Sequence, residues 1–180
     1  MAMQHTPLLM SKIIDRGAKV APNEEIVTAT ENGVRRQTYK ETRDRAHQLA
    51  HALADAGIAV GDRVGTFMWN GSRHLEAYQA CAGMGAVLHT LNIRLSEKDL
   101  EYIINHAEDQ IIIVDADILP LLEKLEGKMP TVRQVVIATE EGFERWSTQL
   151  PNAVDYEDFI KDKPTHYEWP DIDENSPLGL

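Results

Sequence analysis

Cysteine is nearly absent from this sequence of 180 residues, which contains only Cys81. A single cysteine cannot form an intramolecular disulfide, so nothing indicates an oxidising compartment. Cations are also few, because 18 Lys and Arg stand against 29 Asp and Glu, a formal net charge of −11. That balance argues against a nucleic acid or an anionic membrane as a partner, since both need a basic surface.

Long hydrophobic runs are missing as well. No apolar stretch approaches the length of a membrane span, so no integral membrane segment is predicted. The opening residues, "MAMQHTPLLMSKIIDRG", have too short an apolar core for a secretory signal and no small-residue cleavage site. We therefore expect a cytoplasmic protein.

The order of predicted strands and helices along the chain indicates an α/β fold with an open, mostly parallel sheet and helices on both faces. Alternating residues around Asn32-Gly33 predict a β-hairpin over residues 26–39. Thr38 and Glu41 have the spacing of a capping box and begin a helix, which Gly57 ends. Residues 63–138 then read β-α-β-α-β-α-β, the order of a parallel sheet.

The last part of the chain, residues 139–180, is rich in acids, prolines and aromatics and has weak periodicity. We interpret it as a surface connection with one short helix near residues 156–160, leading to the next subdomain. "PLGL" at 177–180 resembles the beginning of a buried strand. The predicted organisation is an α/β subdomain over residues 1–138 followed by this connection.

Three motifs favour a structural role over chemistry. His47 and His51 have the spacing of a helical zinc pair, but the glutamate that a metalloprotease needs as a base is absent, so a solvated helix edge is the better interpretation. "GMGAVL" lacks a third glycine and leaves a helix for a strand, the reverse of a dinucleotide fingerprint. Cys81 lies among small residues, which is typical of a buried, inert thiol. No catalytic or metal-ligating residue is predicted.

"HTLNIRLS", residues 89–96, is the stretch with most potential for ligand binding. It follows a predicted parallel strand, at the edge where α/β sheets bind ligands. His89, Asn92 and Arg94 are polar, and Arg94 could pair with a phosphate. The alternative is a turn with one helix cap and a surface arginine, and position alone favours that alternative.

Longer stretches resemble the adenylate-forming acyl-CoA synthetase family. The first is "TYKETRDRAHQLAHALADAGIAVGDRV", and the second is "WNGSRHLEAYQACAGMGAVLHTLNIRLS", which is similar to bacterial medium- and long-chain fatty acid ligases. "LEYIINHAEDQIIIVD" continues the match. One departure is Ile93, where the family usually has proline. The resemblance covers nearly the whole chain.

The resemblance implies that the chain is part of the large N-terminal domain of that enzyme fold. The parent would use ATP, Mg²⁺ and CoA to convert a fatty acid to its acyl-adenylate and then to its acyl-CoA. In related ligases the segment matching "LNIRL" lies near the CoA side of the cleft, so Asn92 and Arg94 are the implied cofactor-binding residues.

The family's phosphate loop would follow directly after "PLGL", so the resemblance implies a truncated chain that is inactive alone. The alternative is a non-catalytic binding or interaction module that kept half of the fold, and the coding sequence beyond codon 180 would distinguish the two. An uncovered apolar surface would also favour a homo-oligomer.

Overall fold

A computed structural model describes residues 6–30, 33–140 and 146–180. The helices are α1 Met10–Val20, α2 Tyr39–Asp55, α3 Ser72–Met84, α4 Glu97–Ala107, α5 Leu119–Glu123 and α6 Tyr156–Ile160. The strands are β1 Glu25–Thr30, β2 Gly33–Thr38, β3 Arg63–Phe67, β4 Val87–Thr90, β5 Ile111–Asp115, β6 Gln134–Ala138 and β7 Val154–Asp155. Among these residues no helix is long and apolar enough to cross a membrane.

The sheet confirms the predicted fold class. Strands β3–β7 are parallel and lie in the order β4-β3-β5-β6-β7, while β1 and β2 form a separate antiparallel hairpin. Glu25 pairs with Thr38 and Thr30 with Gly33, so the hairpin is close to its predicted bounds. Asn32, half of the predicted turn, lies outside the described residues.

Helices cover both faces of the sheet because its central strands are apolar on both sides. In β5, Ile111 and Ile113 belong to a core shared with α2, α3 and α6. Ile112 and Val114, which alternate with them, belong to a second core shared with α4 and α5. Each of the four isoleucine and valine side chains is fully buried.

The helix ends form where the sequence predicts them. The Thr38 side chain accepts a hydrogen bond from the Glu41 backbone N–H, and the Glu41 carboxylate accepts one from Thr38 N. Gly57 has a φ of 81° after the end of α2, a left-handed conformation that glycine adopts without strain. Gly85, in the "GMGAVL" motif, has a φ of 84° and ends α3. That motif is therefore a helix-ending turn.

Helix α1 and strand β7 were not predicted. The residue before α1 is Leu9, which gives no side-chain cap, and Gly17 lies inside the helix, so the usual start signal is missing. Strand β7 has two residues and pairs with β6 through Val136 and Val154. A strand this short leaves no periodicity in a sequence.

Part of the segment 139–180, predicted as a surface connection, is buried against the rest of the chain. Leu150 and Tyr156 are buried, and the ring of Trp169 lies so close to Gly83 that a Cβ atom there would be 2.6 Å from it. Leu178 and Leu180 are exposed, and Gly179 pairs with Leu88 at the β4 edge. Gly179 thus forms a single parallel bridge to the edge of the five-stranded sheet, and the start of a further strand at 177–180 stays a prediction. The division at residue 138 stays a prediction.

His47 corrects the interpretation of the histidine pair as a solvated edge. Its side chain is buried, its Nδ1 accepts from the Tyr167 backbone N–H at 2.7 Å, and its Nε2 lies 3.0 Å from Asp15 Oδ1. Because Nδ1 accepts, Nε2 carries the ring proton and donates to Asp15. Burial lowers the pKa of His47, which favours this neutral ring. His47 thus joins α1, α2 and residues 165–170.

The buried carboxylate of Glu76 joins four elements. Its side chain, in α3, is fully buried. Its Oε1 accepts from Gln37 Nε2 at 2.7 Å and from Arg45 Nε at 2.8 Å. Its Oε2 accepts from the hydroxyl of Tyr156 at 2.7 Å. These bonds hold the hairpin, α2 and α6 to α3.

Replacing Glu76 by alanine should lower the free energy of unfolding by about 3–5 kcal/mol, because Gln37 and Tyr156 lose their acceptor and Arg45 loses a buried partner. Urea unfolding measures the effect. Glu126→Ala, at an exposed position, is the control and should change stability by less than about 0.5 kcal/mol. Equal effects of the two variants would contradict a central role for Glu76.

Candidate active-site edge

The carboxyl ends of the parallel strands meet at one edge of the sheet. There, β4 lies on one side of β3 and β5 on the other, so the chain order reverses at β3. Helix α3 leaves β3 toward one core, whereas α5 leaves β5 toward the other. In open α/β sheets such a switch point forms the crevice in which ligands bind. The residues that follow β3, β4 and β5 therefore border the candidate crevice.

Trp69, after β3, bridges this switch point to the end of β5. Its backbone N–H donates to Asp115 Oδ2 at 2.7 Å, and its indole Nε1 donates to Asp117 Oδ2 at 2.8 Å. The indole remains half exposed. The arrangement fixes an aromatic surface and two carboxylates at the mouth of the crevice.

Asp115 is the most perturbed acid of this edge. Burial raises the pKa of Asp115 to about 6, and the hydrogen bond from Trp69 only partly opposes this effect. The negative charge of nearby Asp117 also raises the pKa of Asp115. The carboxylate that ends β5 is therefore desolvated, unlike the acid of a solvated loop. The signal that singled out Asn92, a polar residue at the end of a parallel strand, also applies to Asp115.

The turn after β4 contains both predicted site residues. Asn92 Oδ1 accepts from the Arg94 backbone N–H at 3.0 Å, and the Asn92 carbonyl accepts from Leu95 N–H at 3.1 Å. Ser96 then caps α4, because its Oγ accepts from Asp99 N–H at 3.2 Å. The Asn92 side chain thus shapes the turn, as the structural alternative predicts.

Arg94 points to solvent at the outside of this turn. Its side chain makes no hydrogen bond or ion pair with any other residue that the structure describes. Arg73, by contrast, lies 3.2 Å from Glu140 and 3.0 Å from Glu157. Arg94 is therefore a cation of this edge whose guanidinium is open to a ligand.

His89 does not share this exposure. It is buried, and its Nδ1 lies 2.8 Å from Asp109 Oδ2. Burial raises the pKa of Asp109, although the His89 contact lowers it. Gly65 leaves room for this pair, because a Cβ atom there would lie 3.2 Å from the Asp109 carboxylate. The structure separates His89 from Asn92 and Arg94 and gives it a place in the interior.

A hollow of about 480 Å³ lies beside the turn, between it and α5. Its apolar lining comes from Ile93, Leu95, Leu100 and Leu121, and its cations are Lys98 and Lys124. Glu97 also lines it and lies 3.3 Å from Lys124. Apolar walls with ammonium groups suit an anionic ligand that has a flat or apolar part.

Cys81 and the acids supply neither a nucleophile nor a metal centre here. Cys81 is buried in α3, and burial raises the pKa of its thiol to about 12. A thiol in that state is not nucleophilic at neutral pH. In the part of the chain that the structure describes, no group of three or more His, Cys, Asp or Glu could hold a metal ion.

A sequence profile described as "AMP-binding enzyme" matches residues 14–178. The chain belongs to the AMP-binding enzyme family. It is 36% identical over 179 residues to a medium-chain-fatty-acid–CoA ligase of Ectopseudomonas oleovorans, covering 99% of this chain and 33% of the relative. A long-chain-fatty-acid–CoA ligase of Thermus thermophilus is 41% identical over 157 residues, which cover 85% of this chain and 29% of the relative. The chain thus spans about a third of the length of these AMP-binding relatives.

Solved structures have the same fold as this chain. A crystal structure of an anthranilate CoA ligase in complex with anthranoyl-AMP matches with a TM-score of 0.81 at 21% identity, covering 98% of this chain and 31% of that one. A coronafacic acid ligase from Pectobacterium brasiliense matches with a TM-score of 0.82 at 18% identity, covering 96% and 33%. At such identities the likeness shows the fold alone.

Replacing Asp115 by asparagine should stabilise the protein near neutral pH. The folded-state pKa is raised, so the ionised carboxylate costs stability above about pH 6, and that cost disappears as the pH falls toward the unfolded value. Asparagine can still accept from Trp69 without a charge. We expect the free energy of unfolding to rise by on the order of 2 kcal/mol at pH 8, and this increase should be several-fold smaller at pH 4.

Urea unfolding at the two pH values measures this difference. Asp171→Asn is the matched control, since Asp171 is exposed and its side chain bonds to no described residue. A gain for Asp115→Asn that is the same at both pH values, or that the control reproduces, would contradict the raised pKa.

Proposed function

We propose that this chain is the N-terminal part of an ATP-dependent fatty acid–CoA ligase. The observation that carries the proposal is the alignment of 99% of the chain with a medium-chain-fatty-acid–CoA ligase at 36% identity. A 3-methylmercaptopropionyl-CoA ligase of Ruegeria pomeroyi aligns over the same share at 37% identity. These relatives favour a ligase over a non-catalytic module that kept half of the fold.

The proposed reaction has two steps. The fatty acid carboxylate attacks the α-phosphate of ATP, which gives an acyl-adenylate and releases pyrophosphate. The CoA thiol then attacks the acyl carbon and displaces AMP. Charge accumulates on phosphate in the first step, and Mg²⁺ with cationic groups would offset it. We assign Mg²⁺ to no residue of this chain, because the described residues contain no suitable cluster.

The role that we propose for this chain's own residues is to bind CoA. Arg94 offers an uncommitted guanidinium at the carboxyl edge of the sheet, and a guanidinium can bind a phosphate through two parallel hydrogen bonds. Asn92 holds the turn, through its bond to Arg94 N–H. In the adjacent hollow Lys124 is paired with Glu97, and Lys98 supplies the ammonium group that supports an anionic ligand at the same place.

Two further parts of the proposal concern the setting of the ligase. We propose that it acts in the cytoplasm, which is consistent with the buried, unpaired thiol of Cys81. We also propose a homo-oligomer. Leu178 and Leu180 are 49% and 64% exposed in the short segment that pairs with the edge strand β4, and exposed apolar residues at the edge of a sheet favour pairing with another chain.

Light scattering coupled to size exclusion at physiological salt tests the homo-oligomer. We expect a mass of two or more chains at micromolar concentration. Replacing Leu178 and Leu180 together by serine should lower that mass, whereas replacing the exposed Val34 by serine should leave the mass unchanged. The mass of a single chain at every concentration would contradict an oligomer.

Replacing Arg94 by alanine in the ligase should raise the apparent KM for CoA about tenfold or more, because one phosphate contact contributes on the order of 1.5–3 kcal/mol. Adenylation, measured as ATP–pyrophosphate exchange, should stay nearly unchanged, since CoA takes no part in it. Lys128→Ala removes an exposed cation elsewhere and serves as the control. An unchanged KM for CoA would return Arg94 to a surface role.

A further inference from the structure

The outer face of α1 and the residues before it are apolar and cationic at once. Leu8, Ile13 and Val20 are 76%, 53% and 63% exposed. They border a groove of about 420 Å³ that also contains Lys12 and Arg16. We call this surface the α1 face, consisting of Leu8, Lys12, Ile13, Arg16, Lys19 and Val20.

Two acidic residues, Asp15 and Glu174, lie close to the α1 face. Asp15 is the only acid of α1; its side chain is 43% exposed, and its carboxylate is engaged by His47 Nε2 at 3.0 Å and by Trp169 Nε1 at 3.2 Å. No acidic residue lines the groove within the described part of the chain. Glu174 contacts one end of the face, where its Oε2 accepts from Leu8 N–H at 2.8 Å. Lys12 Nζ donates to the Pro7 carbonyl at 3.0 Å.

The local charge of this face differs from that of the whole chain. The net charge of −11 is spread over 180 residues, whereas the α1 face carries three cations against the one carboxylate of Glu174 that contacts Leu8. Salt screens charges that lie more than about 8 Å apart at physiological ionic strength. A partner that touches only this face therefore meets a positive surface with apolar side chains between the cations.

We propose that the α1 face docks on an anionic lipid surface. Helices with exposed apolar residues beside Lys and Arg lie in the membrane interface, where the apolar side chains enter the acyl boundary and the cations meet anionic headgroups. An anionic lipid surface therefore offers acyl chains to the apolar side chains and negative headgroups to the cations of the α1 face. This inference does not depend on the proposed function, because lipid binding needs neither ATP nor CoA.

A second copy of the chain fits the α1 face less well. In a symmetric dimer the same patch meets itself. Lys12 and Arg16 of one copy would then approach the same residues of the other, with no acid in the groove to separate them. Like charges at such a contact are unfavourable. Charge complementarity therefore favours the lipid surface as occupant.

Co-sedimentation of the protein with vesicles tests the proposal. We expect binding to vesicles of phosphatidylcholine mixed with phosphatidylglycerol, weaker binding to phosphatidylcholine alone, and a decline as salt is raised. The double variant Lys12→Gln, Arg16→Gln should weaken binding by at least about tenfold. The double variant Lys128→Gln, Lys161→Gln has the same net charge and should bind like the unmodified protein.

A second variant tests the apolar part of the face. Leu8→Ser with Ile13→Ser should weaken binding to the phosphatidylglycerol vesicles even at high salt, with an unchanged circular dichroism spectrum. The proposal is overturned if the protein does not bind these vesicles. It is also overturned if the Lys128→Gln, Lys161→Gln variant loses as much vesicle binding as the Lys12→Gln, Arg16→Gln variant. It is also overturned by a dimer in solution that the Leu8, Ile13 variant abolishes, because the face would then join two copies.

Discussion

The buried carboxylate of Glu76 is the interaction on which the arrangement of elements depends. A charge without water must be met by donors, and this one is met by three side chains from separate parts of the chain. Gln37 comes from the hairpin, Arg45 from α2 and Tyr156 from α6. Apolar packing would tolerate small displacements of these elements, whereas three short hydrogen bonds to one carboxylate fix their relative positions.

The same helix that carries Glu76 also positions the candidate site. Helix α3 begins at Ser72, three residues after Trp69, and the Ser72 N–H donates to Thr28 Oγ1 of the hairpin. Arg73, the next residue, contacts Glu140 and Glu157. The turn that presents Trp69 to the crevice is thus held by a helix that is anchored on both sides. Rigidity of this kind keeps ligand-binding groups in place.

Much of the fold could be predicted because its signals are local. Thr38 with Glu41, Gly57 and the apolar run of β5 each need only a few neighbouring residues to be recognised. The missed features depend on contacts between distant residues. His47 is buried beneath residues 166–169, and Tyr167, 120 positions later, donates to it. No local pattern carries that information.

In the candidate site, too, some features could be predicted from local sequence and others depend on contacts between distant residues. Asn92 and Arg94 follow a strand that periodicity predicts, so their place at the sheet edge could be expected. The pairing of Asp115 with Trp69 spans 46 positions and joins two strands whose adjacency follows only from the strand order. A sequence shows which residues end strands, but the crevice forms from strands that become neighbours in three dimensions.

The burial of Cys81 has a consequence for measuring motion. The thiolate is the reactive form of cysteine, and the raised pKa of this thiol leaves almost none of it at neutral pH. A thiol reagent can therefore reach Cys81 only when α3 separates from α2 and the sheet. The chain thus contains its own reporter: the rate at which a thiol reagent labels this natural side chain measures how often the helix opens, with no substitution introduced.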